Sequence, residues 1–210
     1  GEGKRLRPYT NEIPKCMVKL AGYSLLSHQL SSIEKCNILL DDIALVGGYK
    51  MEALEKFNLK KFKNVQYSST NMVTTLFCAR EFMTPDEDLV VSYGDIIYEE
   101  KVLRAVLDCD DEMSVVADKE WERLWRLRMC NPLDDAETFV MDDELLIKGL
   151  GKKPTSFSQV QAQYMGLIKI RGDMVSEFID IYDRMDQHID YDGLNFDNMY
   201  MTSFIQYLID

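Results

Sequence analysis

The chain has 210 residues and a formal net charge of −12, from 24 Lys and Arg against 36 Asp and Glu. That length can bury a substantial core without cross-links, and that charge excludes a sequence-independent binder of nucleic-acid backbones, which needs a broad excess of cations. The five cysteines, Cys16, Cys36, Cys78, Cys109 and Cys130, are widely spaced without a Cys-x-x-Cys pair, which indicates neither a disulfide framework nor a zinc knuckle and fits a reducing, cytoplasmic setting.

In chain order, a glycine-and-cation segment, "GEGKRLRPYTNEIPK", precedes alternating apolar runs and stretches of helical period. The strand candidates are "DIALVGG", "NVQYS", "DLVVSYGD" and "EMSVVAD". Between and before them, "SLLSHQLSSIEKC", "KMEALEKF", "MVTTLFCAREFM" and "EEKVLRAVLDC" carry apolar residues every three or four positions, as helices covering a sheet require. This alternation predicts an α/β fold on a mainly parallel sheet. After Asp118 the regularity breaks into a tryptophan-rich helical piece, a Pro-Leu-Asp-Asp turn and two short strands, read as a lobe inserted over about residues 119–160 of a single domain, 1–210. "VQAQYMGLIKI" is then expected as a long returning strand, followed by "DMVSEFIDIYDRM" and a terminal helix "NMYMTSFIQYLI". No apolar run approaches the ~20 residues that cross a bilayer, so no membrane partner is expected.

Two stretches carry chemistry. Gly1 and Gly3 allow a tight turn that exposes backbone N–H groups, and the cations Lys4, Arg5, Arg7 and Lys15 crowd it, an arrangement suited to phosphate; a solvated N-terminal tail is the alternative. In "VVSYGDIIYEE" an apolar strand ends at Gly94-Asp95, placing a carboxylate where open α/β sheets keep their ligand crevice. A single Asp there can serve magnesium, which takes few protein carboxylates beside phosphate oxygens, or can cap the next helix. Trp121 and Trp125, one turn apart, could hold an ammonium group or pack the lobe, and packing is the preferred reading. The acidic cluster Asp134, Asp135 and Glu137 is read as a solvated turn.

Together "GEGKRLRPYTNEIPKCMVKLAG", "NMVTTLFCA", "SYGDIIYEE", "LGKKP" and "QYMGLIKI" resemble the sugar-phosphate and phosphocholine nucleotidyltransferases, and most of all their cytidylyltransferase branch, whose acceptors are phosphocholine, phosphonates such as 2-hydroxyethylphosphonate, or phosphoglutamine. The resemblance implies a Rossmann-like, three-layer (GT-A-like) sandwich and Mg²⁺-dependent transfer of a cytidylyl group from CTP to a phosphate- or phosphonate-bearing small molecule, with pyrophosphate released. It gives Gly1, Glu2, Gly3 and Lys4 to the triphosphate, Arg5 to its oxygens, and Lys15 to the α-phosphate and the attacking phosphate. Asp95 would hold the metal, with Gly94 and Asn71 beside the nucleotide. Lys152, Lys153, Gln163 and Tyr164 would face the acceptor, although Asn71 as an N-cap, one of the lysines as a turn residue and Tyr164 as core are open alternatives. A homodimer is one assembly the resemblance admits.

Set against that family, the sequence is expected to be truncated at both ends, without the leading strand and without a trailing strand that bears a second metal-binding Asp. Asp192 and Asp197, in "YDGLNFDN", read as loop residues and not as its replacement. The alternatives are a sugar-1-phosphate thymidylyl- or uridylyltransferase and an inactive nucleotide-binding relative.

Overall fold

The computed structural model describes residues 2–210; Gly1, expected in the phosphate turn, lies outside the described residues. The opening segment forms two short 3-10 turns, Lys4–Leu6 and Lys15–Met17, before a hairpin of β1 (Lys19–Leu20) and β2 (Tyr23–Ser24). Helix α1 (Leu25–Lys35) follows at once because Ser24 caps it, its side chain accepting from the Ser27 N–H. Then come β3 (Ala44–Gly47), β4 (Lys60–Lys63), α2 (Met72–Phe77), β5 (Leu89–Ser92), α3 (Glu100–Leu107) and β6 (Met113–Asp118). The lobe supplies α4 (Trp121–Arg128), β7 (Phe139–Met141) and β8 (Ile147–Leu150), and the chain finishes with β9 (Gln163–Ile170), α5 (Val175–Arg184), β10 (Asp190–Tyr191), β11 (Leu194–Asn195) and α6 (Met201–Ile209).

Strands β3 and β4 pair in parallel, Ala44 opposite Lys60, as the crossover pattern predicts. Strand β9 lies between β5 and β6 and runs against both, so those two are parallel to each other through an antiparallel neighbour. That central place explains its composition. Leu167, Ile168 and Ile170 are at most 2% exposed, the continuous burial of a strand covered on both faces. Lys169 shares this burial at 2% exposure because its ammonium is fully matched, to Asp88 at 2.7 Å and to the carbonyls of Leu107 and Cys109 at 2.8 Å. The same contact holds the Asp88 carboxyl below the usual carboxylate range.

The main core gathers Val73 and Phe77 from α2, Phe178 from α5 and Phe204 and Ile205 from α6 against β9. Phe77 stacks on Tyr182 with ring centres 3.6 Å apart, and Phe178 meets Phe204 at 5.4 Å. Helix α6 is apolar around most of its circumference, as its full burial from Met201 to Ile205 demands. The lobe is not a separate body: Phe139 of β7 and Leu150 of β8, each 1% exposed, belong to this core, and the Leu150 N–H donates to Gln206 Oε1 at 2.8 Å. Trp121 and Trp125 pack the lobe as preferred above. Trp121 is 3% exposed, contacts Ala136 and Val160 and donates its indole N–H to the Val160 carbonyl at 3.1 Å.

Three expectations need correction. "NVQYS" is a turn, and the strand is the preceding Lys60–Lys63. Asn64 ends it: its carboxamide donates to Thr70 Oγ1 and Thr75 Oγ1 at 2.9 and 2.8 Å and accepts from the Gln66 N–H, local bonding that competes with a ladder. "KMEALEKF" makes only a single 3-10 turn, Met51–Leu54. "YDGLN" is a hairpin, β10–β11, with Asp192 and Gly193 both at positive φ, as a two-residue Asp-Gly turn requires.

The β7–β8 hairpin places Leu145, 62% exposed, at φ +66° where such turns favour glycine. Left-handed backbone costs a non-glycine residue about 1–2 kcal/mol, partly offset by glycine's greater freedom when unfolded. Leu145→Gly is therefore expected to raise stability by about 0.5–1 kcal/mol, read as a higher urea midpoint at unchanged slope; a lower midpoint would mean that Leu145 makes a contact its exposure conceals.

Candidate active site

The opening loop is built around Gly3. Its φ is +62°, and a Cβ there would lie 3.0 Å from Thr10 Cγ2, so glycine meets both a left-handed backbone and a close approach. Thr10, fully buried, donates its hydroxyl to the Gly3 carbonyl at 2.8 Å, and the Tyr49 hydroxyl donates to the carbonyls of Thr10 and Asn11 at 2.9 Å. The segment is thus a pinned loop and not a frayed tail. It ends where Pro14 enters the 3-10 turn Lys15–Met17, anchored by Met17 in a small core with Leu26, Met51 and Leu54.

That anchor aims Lys15 at Asp95. The Lys15 ammonium donates to Asp95 Oδ2 across 80 positions of sequence, with both side chains partly exposed. Beside them Cys16 packs against Gly94, where an added Cβ would come within 3.3 Å of Cys16 Cβ. Burial pushes the Cys16 thiol up to about 11, its own backbone contact opposing and the Asp95 charge adding to the rise; the thiol stays protonated near neutrality and offers no nucleophile.

The remaining cations divide. Lys4 and Arg7 both reach the Glu2 carboxylate, at 3.5 and 3.1 Å, so Glu2 balances the loop's charge. Arg5 is exposed and has no ion pair among the described residues. Asn71 caps α2, its Oδ1 accepting from the Met72 N–H at 2.9 Å while its Nδ2 donates to the Asn198 carbonyl at 3.1 Å. The capping alternative is the one this geometry carries, since both polar atoms of the carboxamide are engaged within the protein.

On the acceptor side the expectations separate as well. Gln163 is 5% exposed and its amide is tied to the Glu137 and Ala162 carbonyls and the Glu137 N–H, so it braces the lobe instead of lining an open pocket. Lys153 donates to the carbonyls of Leu133, at 2.6 Å, and Asp134, which makes it the turn residue of the lysine pair. Lys152 is exposed, and its ammonium has no partner among the described residues. Tyr164 and Tyr93 pack at right angles with ring centres 5.7 Å apart, and the Tyr164 hydroxyl is buried without a hydrogen-bond partner. Burial raises both phenols above the ordinary range of a tyrosine, so both stay protonated. The neighbouring Glu137 is partly buried, not solvated as expected; desolvation raises its carboxyl, opposed by a hydrogen bond from Thr202. Sequence reading missed Tyr93, whose one local signal is its place directly before Gly94-Asp95.

Nucleotide chemistry is what such a loop and strand tip can do: a cation-rich glycine turn, an amine and a carboxylate meet at the C-terminal end of β5. A family model for the MobA-like NTP transferase domain matches residues 1–150. The chain belongs to the MobA-like NTP transferase family. Across its whole length it is 40% identical to a CTP:phosphoglutamine cytidylyltransferase of Campylobacter jejuni, covering 85% of that protein. Solved structures share the fold at low identity. The inositol-1-phosphate CTP transferase of T. maritima superposes with a TM-score of 0.70 at 14% identity over all of this chain and 78% of that one. The CTP:phosphocholine cytidylyltransferase of Streptococcus pneumoniae gives 0.64 at 15% identity, over all of this chain and 82% of its own. The architecture is therefore the Rossmann-like nucleotidyltransferase fold, and the chain is a nucleotidyltransferase. No helix among the described residues is long and apolar enough to cross a membrane.

Proposed function

We propose that this NTP transferase moves a cytidylyl group from CTP to a small molecule bearing a phosphate or phosphonate. The meeting of Lys15 with Asp95 at the mouth of the Gly3 loop carries this reading. An acceptor oxygen attacks the α-phosphorus in line; the new P–O bond forms as the bond to the β-phosphate bridging oxygen breaks, and pyrophosphate departs with that electron pair. Two anions must approach each other, so the Lys15 ammonium lowers their repulsion and stabilises charge on the α-phosphoryl oxygens. Arg5, free on the same loop, neutralises the triphosphate, and Lys152 attracts the acceptor's phosphate.

Asp95 is a hard donor available to Mg²⁺ beside this loop, and among the described residues no group of three or more His, Cys, Asp or Glu is placed to hold an ion by itself. That donor set fits an ion held mainly by nucleotide oxygens and water. When bound, it would screen the phosphate oxygens. The 40% identity to a protein named for phosphoglutamine makes phosphoglutamine the first acceptor to try.

The test is pyrophosphate release from CTP, UTP, dTTP, ATP and GTP, each paired with phosphoglutamine, phosphocholine, 2-hydroxyethylphosphonate and glucose-1-phosphate, with Mg²⁺ and with EDTA. Release with CTP and a phosphate or phosphonate acceptor, abolished by EDTA, is expected. A preference for dTTP or UTP with the sugar phosphate would replace the reading by a sugar nucleotidyltransferase, and CTP binding without release in any pair would replace it by an inactive relative.

A further inference from the structure

We propose that Gln29 is a positioning residue for the transfer site, acting through the turn that presents Asp95; the inference rests on the role given to Asp95 above. Gln29 sits on the second turn of α1 and is 4% exposed. Its Nε2 donates to the carbonyls of Tyr93 and Ile96, both at 2.7 Å, and its Oε1 accepts from Ser92 Oγ at 3.2 Å. All three partners lie within residues 92–96, and the two carbonyls bracket Gly94 and Asp95.

The contact is part of a stripe. Ser32 Oγ donates to the Tyr98 carbonyl at 2.8 Å, and Cys36 Sγ lies 3.9 Å from the Glu100 carbonyl. Positions 29, 32 and 36 share one face of α1. An amphipathic helix ordinarily fills such a face with aliphatic side chains. Here it offers donors to carbonyls of the segment that leads from the end of β5 to the first residue of α3, where the Tyr93 carbonyl has only a long 3.4 Å bond from the Ile96 N–H besides Gln29. Gln29 holds the Asp95 turn from the helix side, while Cys16 packs on Gly94 and Lys15 meets the carboxylate from the loop side. Catalytic geometry tolerates little slack: a misplacement near 1 Å can cost about 100-fold in rate.

Gln29→Met keeps the volume and removes every hydrogen bond. It is to be compared with the parent protein and with the same change in an Asp95→Asn background, measuring kcat, KM for CTP, and hydrogen exchange of the amides of residues 93–98. Expected are a kcat lower by about 10- to 100-fold with KM for CTP within about threefold, faster exchange confined to that turn, and less than about a twofold further loss when Asp95 is already Asn. Equal losses in both backgrounds would reveal general destabilisation and overturn the proposal, as would unchanged turnover in Gln29→Met. Asp95→Asn with full activity would overturn the role of Asp95 itself, whereas its inactivity beside a fully active Gln29→Met sinks this inference alone. Should the methionine variant not fold, Gln29→Glu, with one donated bond retained when its acid is protonated, is expected to show the same dependence on Asp95.

Discussion

Lys15→Ala is expected to lower kcat for cytidylyl transfer by about 100- to 1,000-fold while the protein melts close to the parent temperature. The rate loss follows from charge. Without the ammonium, a dianionic acceptor must reach the α-phosphorus of a polyanionic triphosphate beside the Asp95 carboxylate, with no fixed cation between them. The small stability effect follows from exposure. Lys15 and Asp95 have 40% and 31% of their side-chain surface in solvent, and pairs of that kind contribute about 0–1 kcal/mol to folding. Steady-state pyrophosphate release with CTP and phosphoglutamine, alongside a thermal melt, separates the two quantities. Near-normal turnover would remove Lys15 from the chemistry, and a collapse in melting temperature would make it a structural residue.

The second large effect falls on stability. Gly166→Ala is expected to cost about 2–5 kcal/mol, from about 1–2 for a left-handed non-glycine residue and about 1–3 for overpacking. Gly166 has φ +80° in the middle of β9, opposite the register shift between Val115 and Ala117 of β6. A Cβ there would lie 2.6 Å from Tyr93 Cγ. The Tyr93 ring cannot swing aside freely, since Tyr164 packs against it at right angles and its backbone N–H donates to the Gly166 carbonyl at 2.8 Å. Gly149→Ala on β8, where the new Cβ would meet Val140 at an ordinary 3.9 Å, is the control. Urea unfolding of the two variants gives the comparison; equal midpoints would show that the β9 bulge relaxes without cost. Because Tyr93 leads directly into Gly94 and Asp95, loss of turnover in the Gly166 variant under native conditions is expected too.

Both results concern places where a local motif meets a distant partner, and there sequence reading succeeded unevenly. The strands that became β3, β5, β6 and β9 announce themselves by apolar runs, because burial on a sheet selects such residues whatever the neighbours are. The strand expected at "NVQYS" failed because the Asn64 side chain finds Thr70 and Thr75, contacts that residue type alone does not reveal. Gln163 and Lys153, expected at the acceptor, have polar atoms engaged within the protein, which residue type alone does not reveal either. A polar residue in a suggestive motif looks the same whether its atoms face a ligand or bond the Glu137, Leu133 and Asp134 carbonyls. Gln29 escaped notice for the opposite reason, since a glutamine within a helical pattern reads as solvated until its carbonyl partners are seen.

The sequence by itself determined the alternation of strand and helix, the glycine loop with its cations, the strand tip at Gly94-Asp95 and the likeness to nucleotidyltransferases. Each rests on short-range regularities, hydrophobic period and turn chemistry, that neighbouring residues impose on one another. Only the tertiary structure decided that β9 would run antiparallel between β5 and β6, that Glu2 would take up Lys4 and Arg7, and that Lys15 would meet Asp95. Those outcomes depend on which buried polar groups and charges find partners across tens of residues, and folding settles that by packing the whole chain at once.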